Sequence, residues 1–326
     1  MTKFTPKVAI VGTGYVGATF AYALAISGLA RQIVLIDKNE DRAKGEAMDL
    51  NHSLPFISPV DIDTAGFEGC QDADIVVICA GSNQKPGETR IDLVKRNTEI
   101  FKGIIPQIVK YTQDSSILLV VSNPVDILSY VTYKVSGFPS NRVLGSGTVL
   151  DSSRLRYLLS KHCQVDSRNV HAYIIGEHGD TELPAWSSAF IGGIRFKEYC
   201  PLCNQQCNYK NDLNSIFEEV KNAAYKIIKY KGATYYAIGL SLVRIIEAII
   251  RDENSILPVS TLINGYLDIN DIYLSLPSIV HKKGVKKVLH LPLDSNEMEL
   301  LKRSASSLKN VLKEIGFINT TTSSFQ

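Results

Sequence analysis

A glycine-rich segment near the start of the chain has the residue spacing of a nucleotide-binding turn. In GTGYVG, Gly12, Gly14 and Gly17 form the pattern G-x-G-x-x-G between the apolar run KVAIV and an alanine-rich stretch. Such a turn brings free N–H groups of a helix N-terminus to a pyrophosphate. Asp37 follows the next apolar run, about 20 residues after Gly17, where a carboxylate binds ribose hydroxyls and repels a 2′-phosphate. The pattern predicts binding of NAD rather than NADP. The alternative for Asp37 is a helix N-cap.

Three later segments carry candidate catalytic residues. His178 lies between glycines in GEHGD, and an imidazole that titrates near neutrality suits acid–base work. Asp151 and Arg154 in LDSSRLR lie three residues apart, which places them on one face of a helix. Arg90 ends the polar segment SNQKPGETR, whose composition is typical of a mobile lid. Taken singly, each residue also has a purely structural interpretation. His178 would be a structural histidine and Asp151 a helix N-cap. Arg154 would belong to a surface ion pair, and Arg90 would be an ordinary loop cation.

The apolar runs of the first half predict strands and helices in alternation. Strands without polar alternation are buried on both faces, which indicates a parallel sheet covered by helices. We therefore predict an α/β fold with a doubly wound parallel sheet of the Rossmann type. The predicted strands are residues 7–11, 32–36, 74–79 and 116–121, and the predicted helices are residues 18–27 and 91–112.

The second half of the chain has a different pattern. From about Leu150 we expect fewer strands and longer helices, since residues 213–231 and 234–251 repeat apolar side chains every three or four positions. Glycines at 145–147 separate the two patterns. We predict a dinucleotide-binding domain over residues 1–145 and an α+β substrate domain over residues 146–326. The basic run 281–287 is expected to be a solvated turn.

Composition excludes several classes of protein. The 35 Lys and Arg residues nearly balance the 33 Asp and Glu residues, and a net charge of +2 argues against nucleic acid as a partner. No apolar run reaches the ~18 residues of a membrane span, and the first strand leaves no room for a signal peptide, so we expect a cytoplasmic protein. Six reduced cysteines are expected. Three of them, in CPLCNQQC, lack the second pair typical of structural zinc, and no metal site is predicted.

Together these motifs resemble the L-lactate and malate dehydrogenase family over nearly the whole chain, and they are most similar to the bacterial L-lactate dehydrogenases. GTGYVG, AGSNQKPGETR, SNPVD, LDSSRLR, GEHGDTELP and KGATYYAIG occur in the family's order. The resemblance implies that His178 is the acid–base catalyst, that Asp151 orients its ring and that Arg154 holds the substrate carboxylate. It also implies that Arg90 polarises the substrate carbonyl when the lid closes. Further positions implied are Asn123 beside the nicotinamide and the substrate oxygen, Thr234 in the substrate pocket, Ile238 at the nicotinamide face, and Val16 and Gly81 at the cofactor.

Substrate choice and regulation are also implied by the resemblance. Gln84 occupies the lid position where malate dehydrogenases carry Arg and lactate dehydrogenases carry Gln, which implies pyruvate and lactate as substrates. Arg156 and His171 match positions that bind fructose 1,6-bisphosphate across a subunit interface, and a homotetramer is expected, with a dimer as the alternative.

Alternatives to this function stay open. One is a malate or other 2-hydroxy-acid dehydrogenase, in which Gln84 is an ordinary loop residue. Another is a glycosidase that uses NAD and recruits a metal ion, and a third is an NAD-binding sensor without catalytic activity. Arg156 and His171 can also be read as partners of acidic neighbours in an unregulated enzyme.

Overall fold

The computed structural model describes residues 6–82, 87–199 and 209–318. The strands are β1 (Lys7–Val11), β2 (Gln32–Ile36), β3 (Asp61–Thr64), β4 (Ile75–Ile78), β5 (Ile117–Val120), β6 (Val143–Gly145), β7 (Val170–His171), β8 (Ile174–Ile175), β9 (Leu183–Pro184), β10 (Phe190–Ile191), β11 (Ile194–Arg195), β12 (Ser255–Leu257), β13 (Ser260–Tyr266), β14 (Ile269–Ser275), β15 (Ser278–His281) and β16 (Gly284–Val288). The helices are α1 (Tyr15–Ser27), α2 (Glu40–His52), α3 (Arg90–Val109), α4 (Val125–Ser136), α5 (Val149–Cys163), α6 (Phe196–Tyr199), α7 (Tyr209–Lys231), α8 (Tyr236–Ile250) and α9 (Ser295–Glu314).

The central sheet contains β1 to β6 as parallel strands in the order β3-β2-β1-β4-β5-β6. The strand order reverses between β1 and β4, and ligands of doubly wound sheets bind in the crevice at that point. The predicted fold class is confirmed. The predicted strands agree with β1, β2, β4 and β5 to within one residue at each end. The short strands β3 and β6 were not predicted, because DIDT is too polar and VLG too short to stand out.

Alternate residues of the central strands face two different helical layers. Val8 and Ile10 of β1 belong to the hydrophobic cluster that includes α1 and α8. Ala9 and Val11 belong to the cluster that includes α3, α4 and α9. Each fully buried side chain of this size contributes roughly 1–3 kcal/mol, which explains why these runs are apolar without alternation. Because α8 and α9 come from the second half of the sequence, both halves share the core around the sheet.

The second half contains more strands than expected. The strands β7 to β16 all follow Leu150, so the prediction of fewer strands there is wrong. They are two to seven residues long, and such short pieces produce no clear apolar run. The antiparallel pair β13 and β14 joins the edge of the central sheet beside β6. The basic run 281–287 is a hairpin: β15 ends at His281 and β16 begins at Gly284, and only the residues between them form the expected turn.

All of the predicted helices are present in the structure, but each differs from the prediction in its first residue, its last residue or both. Helix α1 begins at Tyr15, three residues before the predicted start, because the glycine turn itself leads into the helix. Helix α3 covers Arg90–Val109, and α7 and α8 match the two predicted helices of the second half. Among the described residues, none of the helices is both long and apolar enough to span a bilayer.

Candidate active site

The glycine-rich turn joins β1 to α1 at the carboxyl end of the central strands. Gly12 has a φ of +99°, and a Cβ there would lie 2.6 Å from the backbone nitrogen of Ala80. A Cβ at Gly17 would overlap the carbonyl oxygen of Gly12, so both positions require glycine. A Cβ at Gly14 would meet none of the described atoms within 4 Å. Gly14 is the N-cap of α1 and has no side chain to bond the first N–H groups, which leaves them to a phosphate. Val16, in the first turn of α1, is half-buried.

Asp37 follows β2 and directs its carboxylate at the glycine turn. Oδ2 accepts hydrogen bonds from the backbone N–H of Thr13 at 2.7 Å and from its hydroxyl at 3.1 Å, and Oδ1 accepts one from the N–H of Asn39 at 2.9 Å. Burial raises the pKa of Asp37, but these hydrogen bonds and the charge of Arg42 lower it further, below its usual value. Asn39 is the N-cap of α2, so the N-cap alternative for Asp37 is wrong. A fixed anion beside a free helix N-terminus fits a dinucleotide with an unphosphorylated ribose.

His178, Asp151 and Arg154 form one chain of hydrogen-bonded ion pairs. Nδ1 of His178 lies 2.6 Å from Oδ2 of Asp151, and Nη1 of Arg154 lies 2.7 Å from Oδ1. Asp151 is the third residue of α5, whose N-cap is Thr148, so the N-cap alternative for Asp151 is wrong. The side chain of Arg154 is 15% exposed, which excludes a surface ion pair. The i, i+3 spacing therefore does place both side chains on the face of α5 that carries the site.

The charges of these three side chains shift one another's pKa values. Burial alone would lower the pKa of His178, but the charge and hydrogen bond of Asp151, with the charges of Glu182 and Asp126, raise it to about 9. Burial raises the pKa of Asp151, and His178 and Arg154 lower it more strongly, so that it stays below its usual value. At neutral pH His178 is therefore an imidazolium beside a carboxylate. Because Asp151 accepts the proton of Nδ1, Nε2 is the atom free to exchange a proton with a substrate.

Arg90 is the first residue of α3, not part of a loop. Thr89 caps the helix in a capping box with Asp92, which fixes the start of α3 at Arg90. Its guanidinium pairs with the buried carboxylate of Glu177 and, at 2.5 Å, with Asp180, both in the GEHGD turn. Arg90 and Glu177 also line a cavity of about 150 Å³ between α3 and α9. In this state the guanidinium is occupied by two carboxylates of the chain.

A buried asparagine that is not among the predicted site residues connects the lid segment to the end of β5. The side-chain oxygen of Asn97 in α3 accepts the N–H of Ser82 at 2.9 Å, and its amide nitrogen donates to the carbonyl of Asn123 at 2.8 Å. Ser82 begins the predicted lid directly after Gly81, and Asn123 precedes Pro124 in a cis peptide bond. Both Gly81 and Asn123 are exposed at the carboxyl ends of their strands, where the predicted cofactor crevice lies.

The predicted pocket residues of the second half lie at the start of α8. Thr234 is half-buried in the loop between α7 and α8. Ile238, in the first turn of α8, packs partly buried against the cluster that includes α1. The rings of Tyr235 and Tyr15 stack with centroids 5.5 Å apart, which joins this loop to the glycine turn. The predicted specificity residue Gln84 and the cysteine segment 200–207 lie outside the described residues.

The two predicted effector residues lie on neighbouring elements, Arg156 on α5 and His171 in β7. Nε of Arg156 donates to the carbonyl of Ala172 at 3.1 Å, and its guanidinium lies 5.1 Å from the ring centre of Tyr173. Burial lowers the pKa of Arg156, and Tyr173 opposes this. His171 is the last residue of β7, directly before Ala172, and is exposed. Arg156 is therefore bonded to the backbone of the residue that follows His171.

Two buried carboxyl groups beside His178 were also missed. Asp126 accepts hydrogen bonds from the backbone N–H of His178 at 2.7 Å and from the hydroxyl of Ser260 at 2.5 Å. Burial raises the pKa of Asp126 to about 7, although both hydrogen bonds oppose this. Glu182 is buried as well, and a carboxyl oxygen of Glu182, a ring nitrogen of His178 and a carboxyl oxygen of Asp151 all lie within 4.8 Å of one another. The motifs SNPVD and GEHGDTELP contain both residues, but their letters do not show which side chains turn inward.

Comparison with known proteins identifies the family. Residues 6–145 match the family model described as lactate/malate dehydrogenase, NAD binding domain, and residues 148–317 match its alpha/beta C-terminal domain. The chain belongs to the lactate/malate dehydrogenase family. This family comprises NAD-dependent oxidoreductases, which confirms the predicted enzyme class and the predicted cofactor and removes the glycosidase alternative.

Relatives within the lactate/malate dehydrogenase family are similar over nearly their full length. The L-lactate dehydrogenase of Acetivibrio thermocellus is 58% identical and covers 96% of this chain and 98% of its own. The L-lactate dehydrogenase of Thermoanaerobacterium saccharolyticum is 56% identical, and the match covers 95% of this chain and 99% of that protein. Among solved structures, one similar protein is the minor L-lactate dehydrogenase of Enterococcus mundtii in a ligand-bound form. It has a TM-score of 0.92 and 43% sequence identity, and the match covers 97% of this chain and 100% of that chain. A lactate dehydrogenase from a deep-sea metagenome library has the same TM-score and 46% sequence identity, and the match covers 96% of this chain and 99% of that chain.

Proposed function

We propose that this protein is an L-lactate dehydrogenase that reversibly reduces pyruvate to L-lactate with NADH. The observation that carries the proposal is the series of hydrogen-bonded ion pairs that links His178 and Arg154 through the buried carboxylate of Asp151. It combines a proton donor with a cation for a carboxylate, which are the two groups that reduction of a 2-oxo acid requires. Relatives that are 50–58% identical are named L-lactate dehydrogenase, which supports the same substrate. In this proposal residues 1–145 form the domain that binds the cofactor, and residues 146–326 form the substrate domain.

Bound NADH supplies the hydride that reduces the carbonyl carbon. His178 donates the proton of Nε2 to the carbonyl oxygen and takes it back when lactate is oxidised. Asp151 holds the ring in one tautomer and stabilises the imidazolium. Arg154 binds the substrate carboxylate. A guanidinium has five N–H donors, so the bond of Nη1 to Asp151 leaves others for a bidentate pair with the substrate.

Arg90 completes the site in this proposal when the lid closes. Its guanidinium then leaves Glu177 and Asp180 and stabilises negative charge on the substrate oxygen. Arg90 stands at the end of the predicted lid and at the first turn of a well-capped helix, so a small rotation there moves a long side chain. The other proposed contacts are Asn123 and Thr234 with the substrate, and Gly12, Gly14, Val16, Gly17, Asp37, Gly81, Asn123 and Ile238 with the cofactor.

Specificity for pyruvate is assigned to Gln84. A glutamine there leaves no cation for the second carboxylate of oxaloacetate, and an unpaired buried carboxylate is costly. A malate or other 2-hydroxy-acid dehydrogenase is the alternative function, and it requires another cation for that carboxylate.

We also propose activation by fructose 1,6-bisphosphate through Arg156 and His171 at an interface of a homotetramer in the cytoplasm. The hydrogen bond of Arg156 to the carbonyl of Ala172, the residue after His171, supports this proposal, since a guanidinium and an imidazole from each of two subunits would suit a phosphate group.

One spectrophotometric experiment tests the proposed function. NADH oxidation is followed with pyruvate and with oxaloacetate, each with and without fructose 1,6-bisphosphate. We expect kcat/KM for pyruvate to exceed that for oxaloacetate by about 100-fold or more. A preference for oxaloacetate would establish a malate dehydrogenase, and no turnover with either acid would indicate an NAD-binding sensor. A pyruvate saturation curve that the bisphosphate leaves unchanged would remove the effector site.

A further inference from the structure

Glu182 is a buried carboxyl group that no step of the proposed reaction uses. Glu182 is 8% exposed and directly precedes β9, at the end of the β8–β9 connection that contains GEHGD. One of its oxygens lies within 4.8 Å of both a ring nitrogen of His178 and an oxygen of Asp151. Glutamate is rarely buried without a specific partner, because its charged form loses its hydration. A third carboxyl group at this distance from a proton donor must affect how firmly that donor holds its proton.

The groups around Glu182 place its titration within the working pH range. Burial, with the charge of Asp151, raises the pKa of Glu182 to about 8, while His178, Arg154 and Lys221 oppose the rise. Asp151 and Arg154 belong to α5, and Lys221 belongs to α7. Glu182 in turn raises the pKa of His178, together with Asp151 and Asp126 of α4. The two groups therefore lose their protons as a coupled pair.

The charge count of the site depends on Glu182. Above about pH 7 the buried carboxyl group of Asp126 is ionised, and the positive charge of Lys221 offsets it. When Glu182 is neutral, protonated His178 and Arg154 then outweigh Asp151 by one positive charge. That single positive charge complements the single carboxylate of a 2-oxo acid. When Glu182 is ionised, the four groups sum to zero, and a bound substrate carboxylate becomes an unbalanced buried charge.

We propose that Glu182 is a positioning residue whose protonation, acting through His178 and Arg154, sets the upper pH limit for binding the anionic substrate. This inference rests on the proposed function, since it assumes a carboxylate substrate on Arg154. Productive binding of pyruvate then requires two protons, one on His178 and one on Glu182. At pH values above the pKa values of both His178 and Glu182, log kcat/KM for pyruvate falls with a limiting slope of −2 against pH.

The test compares the wild type with Glu182→Gln, a neutral residue of the same shape. In the variant only the proton on His178 is required, so the limiting slope becomes −1. Glu219→Gln removes an exposed carboxylate from α7, two residues before Lys221, and serves as the matched control, with a slope of −2. A wild-type slope of −1, or a slope of −2 in Glu182→Gln, would overturn the inference.

A second readout does not depend on turnover. Diethylpyrocarbonate acylates the imidazole of histidine only in its neutral form, and mass spectrometry reports the rate of this modification at His178 as a function of pH without substrate. We expect a broad two-step curve in the wild type and a single step in Glu182→Gln, shifted down by about half a pH unit or more. Identical curves would exclude any action of Glu182 on His178. If pyruvate is not reduced at all, the proposed function fails, while this curve still decides the coupling.

Lys221→Met covers the case in which Glu182→Gln does not fold. Removing this cation disfavours ionised Glu182, so the first step of the wild-type curve moves to higher pH and the slope of −2 is kept. An unmoved first step in a folded Lys221→Met variant would contradict the assignment of that step to Glu182.

Discussion

Nδ1 of His178 donates a hydrogen bond of 2.6 Å to Asp151, whose other carboxylate oxygen is held at 2.7 Å by Arg154. The imidazole is therefore oriented by a group that is itself fixed to the proposed substrate-binding cation. A carboxylate that binds to Arg154 thus meets Nε2 of a ring already turned toward it, and little side-chain ordering remains to be done on binding.

The pH dependence follows from the raised pKa of His178. Because that pKa is about 9 instead of its usual 6.5, the imidazole keeps its proton throughout the neutral range. Pyruvate reduction needs this proton, so kcat/KM should stay level from about pH 6 to 7.5 and fall as the pH rises toward 9. Lactate oxidation needs the neutral ring, so its kcat, measured at saturating lactate, should increase over the same range. Initial rates in both directions in constant-ionic-strength buffers measure this, and two parallel profiles would contradict the assigned role.

Replacing Asp151 tests the source of that shift. Asp151→Asn removes the charge and favours the wrong tautomer of His178. We expect kcat for pyruvate to fall by about 10³-fold or more and the descending pH limb to move below its wild-type position. An unchanged limb would show that Asp151 does not control the proton affinity of the ring.

His178→Asn tests the proton donor itself. We expect kcat to fall by about 10³-fold or more while quenching of protein fluorescence by NADH keeps its wild-type affinity, because the glycine turn is untouched. His52→Asn, an exposed histidine at the end of α2, is the matched control and should retain full activity. A variant of His178 that keeps most of kcat would refute the mechanism.

The two glycines of the turn should respond differently to alanine. Gly17→Ala would force a methyl group into the carbonyl of Gly12, so we expect the melting temperature to fall by about 4 °C or more. Gly14→Ala meets no described atom within 4 Å and should melt within about 1 °C of the wild type. It should nevertheless bind NADH about tenfold more weakly, because its methyl group enters the proposed phosphate space. Calorimetry and fluorescence titration separate the two effects, and normal NADH affinity in Gly14→Ala would place the phosphates elsewhere.

Cofactor choice is assigned to Asp37. Asp37→Ser removes the carboxylate held by Thr13 and Asn39, so the repulsion of a 2′-phosphate is lost. We expect the ratio of kcat/KM for NADH over NADPH to fall by about 100-fold. Asp41→Asn in the first turn of α2 removes an exposed charge nearby and should leave the ratio unchanged.

Local sequence was sufficient for the sheet's parallel centre. Runs such as IVVI and ILLV are buried on both faces in any doubly wound fold, so their composition alone predicts their position. The same reasoning failed for β13 and β14. These strands belong to the second half, and they join the sheet because β13 pairs with β6 over a separation in sequence that no local pattern records.

The sequence by itself determined the chemistry available to this protein: a glycine turn followed by an acid, a histidine between glycines, and an aspartate and arginine three residues apart on one helix. Those features depend on spacing along the chain. Only the tertiary structure decided what surrounds them. The positions of Asp126 and Glu182 beside His178, of Asn97 between Ser82 and Asn123, and of Arg90 against Glu177 depend on which faces of distant elements pack together. Burial then determines how strongly each of these charged or polar groups acts on its neighbours, because electrostatic interactions strengthen as water is excluded.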